Sequence, residues 1–132
     1  MEMMEMRSVE RFTLREPMTL DELYVLIKER WNSALPCDFK LEKSLLFKSI
    51  VFDAYMRTSP KVKIQKNVVT VYQNFVGNNN NDTYNHFDVR KIEEMARKNN
   101  AFKEAGIDNG NEYFIALCNA LREVLRDMIL QN

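Results

Sequence analysis

Hydrophobic and polar residues follow two different periods along this chain of 132 residues. From Val9 to Glu16 they alternate with a period of two, which is typical of a half-buried strand, and Pro17 ends it. Thr19 to Glu22 then has the spacing of a capping box, Thr-x-x-Glu. Apolar residues follow at helical spacing, so a helix is predicted from Leu20 to Arg30, and Pro36 excludes its continuation.

The middle of the chain returns to the period of strands. Phe39 and Leu41 alternate with charged residues in a short second strand. The segment from Glu42 to Lys48 fits either a strand or a helical turn, and we favour a strand. Ser49 to Met56 is predicted to be the next strand, whose first face carries the following residues: Ile50, Phe52, Ala54 and Met56.

The clearest element is a hairpin from Lys61 to Gln73 with a two-residue turn at Lys66-Asn67. Asn67 supports such a turn because asparagine tolerates a positive φ. The register puts all four large aliphatic side chains on one face: Val62, Ile64, Val69 and Val71. The opposite face, which we expect to be exposed to solvent, carries these residues: Lys61, Lys63, Thr70 and Tyr72.

Two segments are predicted to be flexible, the N-terminus over residues 1–8 and an asparagine-rich loop over residues 77–86. A helix restarts after this loop at Asp88, a good N-cap residue, and ends near Asn99-Asn100. A last helix is predicted from Glu112 to Leu130. Its apolar face is so broad that it must lie on a large surface, for which the sheet is the best candidate.

This order of elements predicts one α+β domain over residues 1–132. Consecutive strands with short connections form an antiparallel sheet, here of four to five strands, with the helices on one face. The predicted core includes Phe52, Ile64, Val69, Leu117, Leu121 and Val124. The β-α-β(4)-α-α order resembles one repeat of the TATA-binding-protein fold and the helix-grip domains. The resemblance implies only a topology, because no family motif accompanies it.

Composition limits the classes of function. Hydrophobic residues make up 45% of the chain, which is typical of a folded domain rather than of an intrinsically disordered chain. The charges balance, with 19 basic and 19 acidic residues, so no chain-wide attraction to polyanions is expected. The N-terminus lacks the basic and apolar regions of a secretory signal, and no apolar run suits a membrane helix. We therefore predict a cytoplasmic protein, and the asparagine content hints at an AT-rich bacterial genome.

Candidate catalytic and metal-binding groups are few. Cys37 and Cys118 form no CxxC pair, and Cys37, next to Pro36 in a turn, is expected to be partly exposed. His86 is the only histidine and lies near Asp82 and Asp88 in a loop that lacks preorganisation for a cation. Three glycines are too few for a phosphate-binding loop. We therefore predict no cofactor, no metal, no disulfide and no enzymatic activity.

One stretch has an unusual charge pattern. No acidic residue lies between Asp53 and Asp82, whereas four basic residues do: Arg57, Lys61, Lys63 and Lys66. Lysines beside Tyr72 on one sheet face suit single-stranded nucleic acid, because bases stack on aromatic rings and phosphates attract cations. The alternative is a hairpin at the edge of the sheet, where lysines prevent edge-to-edge association.

Three hypotheses of function follow. The first is a non-enzymatic binding module that holds a protein or an apolar ligand between the last helix and the sheet. The second is a nucleic-acid-binding protein that uses the basic hairpin of residues 57–73. The third is an enzyme with an unrecognised carboxylate site. The aromatic residues Phe12, Tyr24, Trp31 and Tyr113 are interpreted as core because they follow strand or helix spacing.

Overall fold

The computed structural model describes residues 9–31, 35–75 and 89–130. Within these ranges the chain forms five strands and three helices. Their order along the chain confirms the predicted α+β class and element order. The elements are β1 (Val9–Thr13), α1 (Leu20–Arg30), β2 (Phe39–Lys43), β3 (Lys48–Phe52), β4 (Lys61–Gln65), β5 (Val68–Tyr72), α2 (Val89–Glu104) and α3 (Gly110–Val124).

The five strands form one antiparallel sheet in the order β1-β5-β4-β3-β2. The predicted register of the β4–β5 hairpin is confirmed, with Lys61 opposite Tyr72 and Lys63 opposite Thr70. Hairpins join consecutive strands from β2 to β5, while β1 pairs with β5 at the far end of the sheet. The likeness to the TATA-binding-protein repeat and to helix-grip domains stays a resemblance in element order.

The helices cover one face of the sheet, which we call the inner face. Ile50, Val62, Val69 and Val71 are fully buried there, whereas Ile64 is only partly buried. The other predicted core residues are confirmed as buried: Phe52, Leu117, Leu121 and Val124. Helix α3 is held to β1 at its polar margin, where the Arg122 guanidinium lies 2.8 Å from the Glu10 carboxylate. One continuous core therefore joins the helices to the sheet.

The capping box of α1 is confirmed. The Thr19 hydroxyl accepts from the backbone N–H of Glu22 at 3.1 Å, and the Glu22 carboxylate accepts from the backbone N–H of Thr19 at 2.9 Å. Both bonds satisfy donors that the first helical turn leaves without an intrahelical partner. The start of α1 is thus determined by local sequence.

The prediction of a strand over residues 42–48 is wrong at its centre. β2 ends at Lys43 and β3 begins at Lys48, and the four residues between them form a turn. Ser44 closes this turn, because its N–H donates to the Phe47 carbonyl at 2.8 Å and its hydroxyl accepts from the Phe47 N–H at 2.9 Å. Serine side chains compete in this way with strand hydrogen bonds.

β3 ends at Phe52, and the predicted continuation to Met56 is wrong. A tight turn follows in which Met56 and Arg57 have φ of 50° and 68°. The turn reverses the alternation, so Tyr55 is buried while Ala54 and Met56 are exposed. The Tyr55 hydroxyl donates to the carbonyl of Ile107 at 3.0 Å, which ties the turn to the segment between α2 and α3.

Two helix ends differ from the prediction. α2 continues through Asn99-Asn100 to Glu104, and α3 ends at Val124 rather than at Leu130. The last described residues instead pair with the end of β1, where the Leu130 N–H donates to the Thr13 carbonyl at 2.7 Å. This pairing satisfies backbone groups at the edge of the sheet, which a longer α3 would leave open. β1 itself ends at Thr13, short of the predicted Glu16.

α3 begins at a close approach to the β3–β4 connection. Asn109 is the N-cap, and its side chain accepts from the Glu112 N–H at 2.9 Å. A Cβ atom at Gly110 would lie 2.3 Å from the Thr58 hydroxyl oxygen, so a larger residue requires a shift. Glycine at this position therefore allows the helix to reach the connection.

Several predictions lie outside the described residues: the frayed N-terminus 1–8, the loop 77–86 and the cap at Asp88. In the ranges that are described, none of the helices has the length and apolarity that crossing a bilayer requires.

Candidate ligand-binding face

The outer face of the sheet brings together three of the five predicted contact residues. Lys61 and Lys63 point outward from β4, and Tyr72 points outward from β5. All three are half-buried, so the expectation of fully exposed lysines is wrong.

The alternative of an edge hairpin is contradicted by the strand order. β4 is the central strand of the sheet, and β5 lies between β4 and β1. Neither strand has an open edge, so Lys61 and Lys63 are not there to prevent edge-to-edge association. Their position at the centre of a sheet face needs a different explanation.

Lys63 lies between two aromatic rings. Its Nζ is 5.6 Å from the ring centroid of Tyr72 and 5.7 Å from that of Phe47. Both distances fall within the range of cation–π attraction. Phe47 comes from the turn between β2 and β3, so the turn reaches over the outer face. Phe47 is not among the predicted contact residues, because residues 42–48 were interpreted as a strand.

A groove of about 560 Å³ surrounds this lysine–aromatic pair. Its lining consists of Phe47, Lys61, Lys63, Tyr72, Asn74 and Phe75. Among these lining residues none is acidic, so the groove attracts anions. Phe47 and Phe75 leave 65% and 55% of their surface in contact with solvent. We name this set of six residues the lysine–aromatic face.

The other two predicted contact residues lie outside the lysine–aromatic face. Lys66 occupies the β4–β5 turn, where it adopts a φ of 58° and its carbonyl accepts from the Met18 N–H at 3.1 Å. Asn67, which we expected to take the positive φ, instead uses its side-chain amide to donate to the Leu14 carbonyl at 2.9 Å. Arg57 lies in the turn after β3, away from the groove lining.

The cysteines do not form a reactive site. Cys37 is buried, contrary to the expectation of partial exposure, and Cys118 is buried as well. Burial raises the pKa of the Cys37 thiol to about 12, which outweighs the lowering by the nearby Tyr113 hydroxyl. Burial also raises the pKa of Cys118 to about 12. Thiols with such pKa values stay protonated and are poor nucleophiles.

The described part of the chain contains no group of three His, Cys, Asp or Glu side chains that could hold a metal ion. The weak candidate site that the sequence contains, Asp82 with His86 and Asp88, lies outside the described residues.

A second groove, of about 750 Å³, lies on the helical side of the molecule. Ala116 and Ala120 of α3 line it together with Leu35. At its rim, Arg30 donates to the Val124 carbonyl at 3.0 Å and to the Asp127 carboxylate at 2.9 Å. We name it the helix-side groove. Between α3 and the sheet, by contrast, the side chains are tightly buried, with Leu117, Leu121 and Val69 at 0% exposure.

Comparison with known proteins does not add an assignment, because no family model, no curated protein and no solved structure matches this chain.

Proposed function

We propose that this chain is a small non-enzymatic binding module that binds single-stranded nucleic acid on its lysine–aromatic face. One observation carries the proposal: a lysine ammonium group, that of Lys63, is held between two aromatic rings at the centre of a sheet face. A cation and rings at one place match the two parts of a nucleotide, its phosphate and its base.

The rings are accessible for stacking. Phe47 and Phe75 expose more than half of their surface. Such exposure is unfavourable, because removing an aromatic ring from water lowers the free energy. Stacking of a base on either ring would cover this apolar surface. Because every base has a flat face, such a platform binds with little preference for sequence.

The charges support the same ligand. Lys61 and Lys63 are two residues apart on one strand and therefore lie on the same face, about 7 Å apart along the strand. No described carboxylate forms an ion pair with Lys61 or Lys63. Glu42, which lines a neighbouring groove together with Lys61, is paired with Lys40 at 3.4 Å. The two ammonium groups are therefore available to phosphates. The predicted cytoplasmic location suits such a ligand, and both that location and a bacterial origin stay predictions.

Fluorescence anisotropy with labelled single-stranded RNA and DNA of about ten nucleotides tests the proposal, since sites of this kind cover roughly 4–16 nucleotides. We expect binding by the wild-type protein that weakens with salt, with a logarithmic slope of about −0.7 for each phosphate bound. Lys61→Glu combined with Lys63→Glu should abolish binding. Lys103→Glu, an exposed reversal on α2, should leave it nearly unchanged.

The stacking part is tested separately. Tyr72→Phe keeps the ring and should keep the affinity, whereas Tyr72→Ala and Phe47→Ala should each cost about 1–3 kcal/mol of binding free energy. No binding of either oligonucleotide at low salt would contradict the proposal. So would an equal loss of binding in Lys103→Glu.

The helix-side groove supports a second candidate, the predicted module for a protein or an apolar ligand. The groove is lined by alanines of α3 and lies beside this helix. It does not lie between α3 and the sheet, where the described side chains are fully buried. An environment-sensitive apolar dye should bind there with a rise in fluorescence. Ala120→Trp, which fills the groove, should remove that rise, whereas Lys63→Glu should not.

A further inference from the structure

The two edges of the sheet differ. At the β1 edge, residues 128–130 pair with the end of the strand, among other bonds by the Arg15 N–H to the Met128 carbonyl at 2.8 Å, while no described segment pairs with the free side of Val9 to Arg11. At the other edge, no described segment pairs with the free side of β2. An open edge strand is a template for pairing with another strand.

The hydrogen bonds of the β2–β3 hairpin show which backbone groups face this open edge. The Asp53 N–H donates to the Asp38 carbonyl at 2.9 Å, and the Ser44 N–H donates to the Phe47 carbonyl at 2.8 Å. Asp38 and Ser44 therefore direct their backbone groups toward β3. Because the direction alternates along a strand, Lys40 and Glu42 also face β3. The three residues whose N–H and C=O groups face the open edge are Phe39, Leu41 and Lys43.

We infer that a second copy of this chain pairs with β2 across a two-fold axis, antiparallel, with Leu41 of one copy opposite Leu41 of the other. Phe39 of each copy then lies opposite Lys43 of the second copy. All the outward groups of these three residues find partners, which amounts to about six backbone hydrogen bonds. The sheet continues from one copy into the next.

Charge selects this register. Lys40 and Glu42 lie on the outer face of β2 with their charged groups 3.4 Å apart. With Leu41 on the axis, each Lys40 lies opposite Glu42 of the second copy, so both cross-strand pairs are attractive. A shift of the pairing by two residues keeps the same backbone groups bonded. In one direction it puts Lys40 opposite Lys40, and in the other it puts Glu42 opposite Glu42. Both of these alternatives are repulsive.

Lysine on an edge strand usually opposes association, but here the edge lysines are neutralised. Lys40 is paired with Glu42, and the Lys43 ammonium lies 2.8 Å from the Asp21 carboxylate of α1. The turn beyond β2 is strongly apolar. Leu45 and Leu46 leave 102% and 83% of their surface in water, which is unusual for adjacent leucines.

The same register explains these leucines. The turn of each copy extends past Phe39 of the second copy and lies beside its residues 35–38. Pairing of the two edges thus brings Leu45 and Leu46 against protein and removes apolar surface from water. It also places the two lysine–aromatic faces on the same side of one sheet. The role of these faces rests on the proposed function, whereas the pairing of the edges does not.

Sedimentation equilibrium of the purified chain, without nucleic acid, tests the inference. The wild-type protein should dimerise reversibly. Lys40→Glu and Glu42→Lys should each raise the dimer dissociation constant about tenfold, because each converts two attractive cross-strand pairs into repulsive ones. The combined variant Lys40→Glu/Glu42→Lys should restore the wild-type value. An equimolar mixture of the two single variants should form heterodimers, and Lys103→Glu should behave as wild type.

Hydrogen exchange gives a second readout with an internal control. The amides of Phe39, Leu41 and Lys43 should exchange more slowly as protein concentration rises. The amides of Lys40 and Glu42, which already face β3, should not depend on concentration. A chain that stays monomeric at all concentrations would overturn the inference. A dimer that is indifferent to both single reversals would overturn it as well, since its interface would lie elsewhere.

Discussion

The two faces of the sheet are made by alternate residues of the same strands, and they differ in almost every physical property. On β4 and β5, Val62 and Val71 have no solvent exposure, whereas their neighbours Lys61 and Tyr72 are only half-buried. The inner face is apolar and covered by helices, so each side chain there is constrained by close packing. The outer face carries charges and rings that contribute little to the core. The fold therefore depends on the inner face, which leaves the described part of the outer face available for the proposed ligand.

The outer face is nevertheless ordered by its own contacts. Phe47 and Tyr72 hold the Lys63 ammonium between them, and the Ser44–Phe47 hydrogen bonds hold the turn that carries Phe47. Such contacts are individually weak. They position the side chains of the lysine–aromatic face without contributing much to the free energy of unfolding.

The largest expected effect is on the inner side. Leu121→Ala removes a side chain with 0% exposure from the contact between α3 and the sheet. We expect a loss of about 2–5 kcal/mol in the free energy of unfolding, from lost transfer free energy and the cavity left behind. Urea denaturation measures it. Ile115→Ala, on the exposed side of the same helix, is the control and should cost far less.

A matched pair of substitutions tests the two faces directly. Val69→Thr keeps the shape of the side chain but replaces a methyl group by a hydroxyl on the inner face, where Val69 has 0% exposure. We expect it to cost about 1–3 kcal/mol, because the hydroxyl loses its hydration. Thr70→Val is the reverse change on the outer face and should alter stability by roughly 0.5 kcal/mol or less. Equal effects of the two substitutions in thermal unfolding would contradict the difference in burial between the two faces.

A smaller effect is expected from Lys63→Met, which keeps the length of the side chain and removes its charge. The loss of the cation between Phe47 and Tyr72 should cost about 0.5–1 kcal/mol. Lys103→Met, on exposed α2, should have no measurable effect on the denaturation midpoint. A stabilising effect of Lys63→Met would indicate that desolvation of the ammonium group outweighs its attraction to the rings.

The smallest effect concerns the thiols on the covered side. Because burial raises the pKa of Cys37 and of Cys118 to about 12, on the order of one thiol in ten thousand is ionised at about pH 8. We expect no alkylation of the folded protein by iodoacetamide, as measured by mass spectrometry. Thr70→Cys, on the outer face, should react readily. Rapid labelling of Cys37 in the folded wild type would contradict the described burial.

The lysine–aromatic face was partly predictable. Lys61, Lys63 and Tyr72 follow from the period of two and a two-residue turn, since register then decides which side chains are neighbours. Phe47 was not predictable in this way. The apolar residues of segment 44–47 fit a strand, whereas in the structure the Ser44 side chain closes a turn there. Phe75 falls at the start of the asparagine-rich segment, so its place beside the hairpin depends on the bridge between Thr58 and Phe75.

The sequence by itself determined those features that local interactions control. These include the capping box of α1, the register of the β4–β5 hairpin and the alternation that separates a covered face from an open one. Only the tertiary structure decided the order of strands across the sheet, and with it the central place of β4 and the place of β2 as an edge strand of the described sheet. Pairing between distant strands depends on contacts that are remote in sequence. The periodicity of a single segment contains no information about them, and for that reason the edge-hairpin interpretation of the lysines failed.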